Sequence, residues 1–133
     1  MVFLRETIDA PGAPAAIGPY SHAVRSGSLL FCSGQIPLDP VTGEIVGETP
    51  AEQARQCLLN LTAVCDAAGA SLTDAVRLTV YMTDLAAFTE VGDVYATFFS
   101  EEPPARVAVG VAALPRGAQV EIDAIVSLAA APA

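Results

Sequence analysis

The chain has 133 residues, 6 of them basic and 15 acidic, so its formal charge is −9 at pH 7. That length allows one domain over residues 1–133, and an acidic chain of pI ≈ 4.2 with no basic run repels phosphate backbones, which excludes DNA and RNA as partners. All six basic residues are arginines (Arg5, Arg25, Arg55, Arg77, Arg106, Arg116), so no lysine is present to form a Schiff base or to complete a phosphate-binding loop, and the lone histidine, His22, rules out a histidine-rich zinc site.

The opening residues, MVFLRETID, carry acids at once and no apolar h-region, so no secretory leader is expected, and Phe3 to Thr7 reads as a short first strand. A mean hydropathy of +0.49 calls for a check on membrane spans. The longest uncharged stretch, Ala10 to Val24, holds Pro11, Pro14 and Pro19 and falls short of the ~20 apolar residues a spanning helix needs. A soluble cytoplasmic protein without a membrane partner is expected. Next, Ala23 to Ser26 and Leu29 to Ser33 flank Gly27 and predict a hairpin.

The clearest helix runs from Pro50 to Ala68: Thr49 and Glu52 make a capping box, Pro50 fits the first helical position and Gly69 ends it. Ala54, Leu58, Leu61 and Cys65 recur at helical spacing, with Cys57, Val64 and Ala68 widening the stripe. Cys57 and Cys65, ~12 Å apart on one helix, cannot bridge each other. With Cys32 they read as three small buried hydrophobes in a reducing compartment.

Ala75 to Met82 predicts a strand with Val76, Leu78, Val80 and Met82 on one face and Arg77, Thr79 and Tyr81 on the other. A second helix follows from Leu85 to Phe99, capped by Asp84, with Phe88, Val91, Tyr95 and Phe98 on one side. Arg106 to Leu114 and Val120 to Leu128 flank a Pro-Arg-Gly turn and predict a closing hairpin. The order βββ-α-β-α-ββ gives a single α+β domain whose two helices cover one face of a mixed sheet.

Alternation then sorts the side chains by face. Val107, Val109 and Val111 are expected to meet the helices, as are Val120, Ile122, Ala124 and Val126. That places Arg106, Ala108, Glu121, Asp123 and Arg77 together on the helix-free face. A chain this apolar is expected to bury that face in a homo-oligomer, bringing arginine and carboxylates into a low-dielectric cleft where a guanidinium fork can hold a substrate carboxylate.

Several stretches read together: GPYSHAV from Gly18, SGQIPLDPVTGE from Ser33, AEQARQCLLNL from Ala51 and PARVAVGVAALPRGAQVEI from Pro104. Over nearly its whole length the chain resembles the RidA family, the YjgF-type enamine and imine deaminases. The resemblance implies a chorismate-mutase-like homotrimer with three sites between adjacent subunits. It also implies cofactor-free, metal-free hydrolysis of 2-aminoacrylate-type enamine and imine carboxylates to 2-keto acids and ammonia. By position it assigns the carboxylate-binding arginine to Arg106, the aromatic wall to Tyr20, the substrate-proximal serine to Ser33 and the water-positioning acid to Glu121. Two positions depart from the family pattern: Gly92 stands where many members have asparagine, and Ala108 where many have cysteine.

An imine carbon is already electrophilic, so the chemistry needs a carboxylate anchor and a placed water. Arg106 is expected to grip the carboxylate, Glu121 to orient or deprotonate the water, and backbone groups near Ala108 and Ser33 to handle the nitrogen. On residues alone the Arg106–Glu121 pair also reads as a buried cross-strand ion pair at an interface. Tyr20 reads as a lid or a packed loop aromatic, and Ser33, before the close-approach residue Gly34, as ligand-facing or strand-ending. His22 reads as a packing or solvent-facing residue, because adjacent strand residues such as Ser21 and His22 cannot hydrogen-bond as a catalytic pair. Asp123 and Arg77 are expected in interface or channel ion pairs. Two alternatives stay open: a non-catalytic trimer that binds small carboxylates as a regulatory module, and a pathway-specific enzyme for a bulkier imine.

Overall fold

A computed structural model describes residues 5–128. The elements follow in the order β1 (Glu6–Ile8), β2 (Ala23–Ser26), β3 (Leu29–Gln35), α1 (Pro50–Ala67), β4 (Ala75–Met82), α2 (Phe88–Phe98), β5 (Ala105–Gly110) and β6 (Val120–Ser127). This is the expected order. Phe3 and Leu4 of the predicted first strand, and the alanine-rich tail, lie outside the described residues.

Helix α1 starts where its capping box places it. The Thr49 hydroxyl accepts from the Glu52 N–H at 3.2 Å and donates to the Glu52 carboxylate at 3.0 Å. Ala54, Cys57, Leu58, Leu61, Val64 and Cys65 are all fully inaccessible, and each buried leucine contributes about 1.5–3 kcal/mol. They pack on the sheet in one core with Leu30, Leu78, Val80, Ile122 and Val126. All three cysteines are free and buried. The second helix begins with a single 3-10 turn, Leu85–Ala87, whose first amides are met by Asp84: its carboxylate accepts from the Ala86 N–H at 2.9 Å. The α-helical hydrogen bonding begins only at Phe88.

The six strands form one sheet in the order β1-β2-β3-β6-β4-β5, antiparallel except for the parallel pair β4–β5. The predicted hairpin of the last two strands is therefore corrected: β4 lies between β5 and β6. Helix α2 is the crossover that carries the chain back to lie parallel to β4, as a β-α-β unit requires. The Pro115–Gly117 segment is a 3-10 turn, not a hairpin turn, with Arg116 at φ 60°. The first hairpin is present as expected, with Gly27 at φ 60° in its turn.

Parity on β6 matches expectation, with Val120, Ile122, Ala124 and Val126 buried beneath the helices. On β5 it is reversed. Arg106 and Ala108 pair with Leu78 and Val80, whose side chains are buried on the helix side, whereas Val107 and Val109 pair with Thr79 and Tyr81. Val107 is 40% exposed. At the end of the sheet the helix-side space above Arg106 is occupied by aromatic rings of α2, which receive a guanidinium as readily as they receive a valine. On β4, Val76 falls at a register shift between Ala75 and Arg77 and is 45% exposed instead of core-facing.

A β-bulge interrupts the β3–β6 ladder. Cys32 pairs with Ala124 and Gln35 with Ile122, so Ser33 and Gly34 together oppose a single residue, Asp123. Bulges re-aim the side chains beside them. The segment that follows is held from above by buried Asn60 of α1, whose amide donates to the carbonyls of Ile36 (3.3 Å) and Leu38 (3.0 Å).

Candidate active site

The bulge opens onto a cleft of about 340 Å³ lined by Pro14, Ala15, Ile17, Tyr20, Ser33, Gly34, Gln35, Ile36, Leu38, Pro115 and Glu121. Glu121 is half-buried on the helix-free face beside Asp123. Burial first, and the Asp123 charge second, push its carboxyl above the ordinary glutamate value of 4.5. Asp123 in turn accepts from the Tyr81 hydroxyl at 2.9 Å. It makes no ion pair with Arg77 among the described residues, although both project from the helix-free face.

Gly34 is required by contact. A Cβ there would overlap the Glu121 carboxylate oxygen and crowd its side-chain carbons. Because that carboxylate ends a flexible side chain, Gly34→Ala is expected to fold normally while swinging the acid aside. A displacement on this scale costs roughly 100-fold in a reaction that depends on the group. Near-normal melting, together with a strongly reduced rate in any reaction that uses the carboxylate, is the expected pair of results, and an unchanged rate would show that the carboxylate's position is unimportant.

The outer wall of the cleft is a strap pinned to the sheet. Ser33 donates its hydroxyl proton to the Ser21 carbonyl at 2.6 Å and its N–H to the His22 carbonyl at 3.0 Å. Buried His22 accepts at Nδ1 from the Ala10 N–H (3.0 Å), and Nε2 lies 2.7 Å from the Pro14 carbonyl, so the tautomer protonated at Nε2 satisfies both contacts. Exposed Asp9 lies 3.4 Å from Nδ1, but that nitrogen is already an acceptor and forms no ion pair in this tautomer. His22 is thus a packing residue that braces the strap. Tyr20, 45% exposed, closes a tight turn, with its hydroxyl accepting from the Ile17 N–H at 3.4 Å, and lines the cleft.

Arg106 lies elsewhere. Its guanidinium carbon sits 4.9 Å from the Phe88 ring centroid and 5.4 Å from that of Tyr95, both on α2, and Gly92 and Ala108 complete the surroundings. Arg106 is exposed and makes no ion pair among the described residues, so the intrachain ion-pair reading with Glu121 fails.

Two expectations about placement are corrected together. Arg106 and Glu121 are neither on neighbouring strands nor on one face. Arg106 lies opposite Leu78 and Glu121 opposite Tyr81 on the two flanks of β4. That is about 10 Å across two strand spacings and about 10 Å along the strand, with side chains on opposite faces. The structure gathers Tyr20, Ser33, Gly34 and Glu121 in one place and Arg106 with Ala108 in another. A single chain cannot bring both groups onto one small substrate. Phe88 and Tyr95 were legible only as a buried helical stripe; nothing in their spacing reveals that they cradle Arg106.

A family model described as Endoribonuclease L-PSP matches residues 10–128. The chain is a member of the RidA (YjgF-type) family. A RutC family protein of Sinorhizobium fredii is 51% identical over 123 residues, 92% of this chain and 98% of that protein. The 2-iminobutanoate/2-iminopropanoate deaminase of Bos taurus is 45% identical over 122 residues, 92% of this chain and 89% of that protein. The crystal structure of RidA from an Antarctic Psychrobacter superposes with a TM-score of 0.89 at 45% identity, covering 92% of this chain and 99% of that one. The two helices on a mixed six-stranded sheet are thus the RidA-family fold, and the family includes proteins named as imine deaminases. Among the described residues no helix is long and apolar enough to cross a membrane.

Proposed function

We propose that this RidA-family protein hydrolyses reactive enamine and imine carboxylates of the 2-aminoacrylate type to 2-keto acids and ammonia, without a cofactor, at sites formed between adjacent copies of the chain. The observation that carries this reading is the split site. One copy offers a guanidinium that has no ion-pair partner among the described residues and sits in an aromatic cradle, the next offers a cleft with a basic carboxylate, and neither is complete alone. The half-exposed residues Phe31, Val76 and Val107 supply apolar surface for such an assembly, which the family relationship favours as a homotrimer.

In the proposed reaction Arg106 of one copy takes the substrate carboxylate bidentately. Glu121 of the neighbour removes a proton from water as the oxygen bonds to the imine carbon. Glu121 returns that proton to the nitrogen to give the neutral carbinolamine, which then collapses: its hydroxyl proton passes by way of Glu121 to the nitrogen, the C–N bond breaks, ammonia leaves and the oxygen forms the C=O of the keto acid. Tyr20 covers the substrate, and Ser33 and backbone groups near Ala108 meet the nitrogen. Raising the basicity of Glu121 favours this proton transfer. The ribonuclease in the family model's description has no electrostatic support here, since a −9 chain without lysine offers RNA no attraction.

The test is keto-acid release from imines generated in situ from several amino acids, with and without the protein. Acceleration is expected. If 2-ketobutyrate raises the melting temperature while imines decay at their uncatalysed rate, the protein is a carboxylate-binding module instead.

Glu121 also sets a pH dependence. Its carboxyl is raised on folding, so between the ordinary glutamate value and the raised one the folded state binds more protons than the unfolded chain. Stability contributed by the protonated form is fully present below the ordinary value and is lost as pH rises through the raised one. Glu121→Gln is therefore expected to melt higher than the parent at neutral pH, with the gap closing as pH falls below the ordinary carboxylate range. A gap that is constant with pH would contradict the raised carboxyl.

A further inference from the structure

The acid pair on the helix-free face holds one member that the proposed reaction does not use. Glu121 and Asp123 stand two residues apart on β6 and project from the same face, ~7 Å apart along the strand. Between the bulk-water and near-surface dielectric limits, two like charges at that distance change each other's proton affinity by roughly threefold or more. A cation would relieve them. Arg77 projects from the same face, yet Asp123 makes no ion pair among the described residues.

What Asp123 has is a tyrosine. Tyr81 is the β4 residue directly opposite Glu121, and its side chain reaches past that position to the diagonal neighbour, donating its hydroxyl proton to the Asp123 carboxylate at 2.9 Å. Burial first, and the Asp123 hydrogen bond second, push the phenol above its ordinary value. The hydroxyl therefore keeps its proton, and the negative charge stays on the aspartate in a fixed place. Of the other titratable groups around Glu121, Tyr20 lines the cleft from the strap, and Cys57 of α1 lies across the sheet, its thiol pushed up by burial and then by the Glu121 charge. Neither can carry a positive charge to cancel that of Asp123.

We propose that Tyr81 and Asp123 are positioning residues for Glu121: the tyrosine hydroxyl holds the Asp123 charge in place along the strand, and that fixed charge governs how readily Glu121 takes the proton of the attacking water. The proposal rests on the deaminase reading above, in which Glu121 is the base. Only the ionised acid can act so, and the acid limb of the pH–rate profile then follows the titration of Glu121. Removing the Asp123 charge makes Glu121 a weaker base, which moves the limb to lower pH and lowers the plateau at the same time. A residue that merely supports the fold lowers the plateau and leaves the limb where it was.

The experiment measures kcat/KM for a small imine across pH in the parent, Asp123→Asn, Tyr81→Phe and the double variant, and follows the titration of Glu121 in each by carboxyl-carbon NMR. Asp123→Asn removes the charge but keeps an acceptor for Tyr81. It is expected to move both the limb and the NMR midpoint to a proton concentration roughly three- to tenfold higher, and to lower the plateau about two- to threefold. Tyr81→Phe is expected to move both the same way by a smaller factor, because the freed Asp123 carboxylate swings away from Glu121. In the Asp123→Asn background it is expected to add nothing, since the hydroxyl acts only through that charge. A midpoint that Asp123→Asn leaves unchanged overturns the proposal, as does a Tyr81→Phe effect that persists without the Asp123 charge. Should Asp123→Asn fail to fold, the Tyr81→Phe midpoint decides, and an unchanged value overturns the proposal. If the parent accelerates no imine, the deaminase reading fails separately, and the NMR midpoints alone decide whether Tyr81 and Asp123 govern the Glu121 proton.

Discussion

Arg106→Ala is expected to lower kcat/KM for imine hydrolysis by roughly 30-fold to several thousand-fold, the equivalent of about 2–5 kcal/mol for losing one partner of a desolvated charge pair. The guanidinium holds a carboxylate that is unchanged between substrate and transition state, so most of the loss is expected in KM, with kcat less affected. The fold is expected to survive, because the exposed side chain makes no ion pair among the described residues and rests on the Phe88 and Tyr95 rings, contacts of about 0.5–1 kcal/mol at an exposed site. Arg106→Lys keeps the charge but not the planar fork and is expected to fall between the two. Steady-state kinetics on a small imine measure this directly, and an alanine variant with parental kcat/KM would remove Arg106 from the anchor role.

The element order and the buried face of α1 were legible because their signals are strong and local. Thr49, Pro50, Glu52 and Gly69 mark the ends of one helix, and the alternation of Glu121 and Asp123 with Val120, Ile122 and Ala124 leaves only one parity for β6. Strand β5 carried no such contrast. Arg106, Ala108 and Gly110 alternate with Val107, Val109 and Val111, and reading the valines as the buried set assumes that helix-side space is always filled by aliphatic groups. Here that space belongs to aromatic faces of α2, contacted by a cation. Nothing short of knowing that Phe88 and Tyr95 overhang β5 would have assigned it.

The false hairpin has a related cause. A Pro-Arg-Gly segment between two strands matches a turn locally, but strand neighbours are chosen by the whole sheet. The crossover through α2 sets β5 parallel to β4, and β6, with Val120, Ile122, Ala124 and Val126 inaccessible or nearly so, takes the central position between β3 and β4. The same topology decides the site. By placing β4 between the strands of Arg106 and Glu121, it separates two groups that sequence alternation had put side by side. The bulge at Ser33 and Gly34 was foreshadowed only by the glycine, whose reason is the neighbouring carboxylate.

Arg106→Ala and Glu121→Gln, each expected to be nearly inactive alone when assayed at substrate well below KM, are expected to restore activity to one another when their chains are mixed in one assembly. A site between copies draws its guanidinium from one chain and its acid from the next, so an interface that receives Arg106 from the Glu121→Gln chain and Glu121 from the Arg106→Ala chain is parental in composition. In a cyclic homo-oligomer assembled at random from equal amounts, about a quarter of the interfaces meet that condition. Refolding the variants together, or co-expressing them with different tags and isolating the doubly tagged assembly, supplies the mixture; simple mixing without exchange is the control and is expected to stay inactive. The converse mixture is equally informative. Parent chains assembled with the double variant are expected to fall from about half of the sites active, when kept apart, to about a quarter when intermixed. Sites contained within single chains would show neither rescue nor interference, and an inactive assembly proven to hold both variants would place the reacting groups of this protein elsewhere.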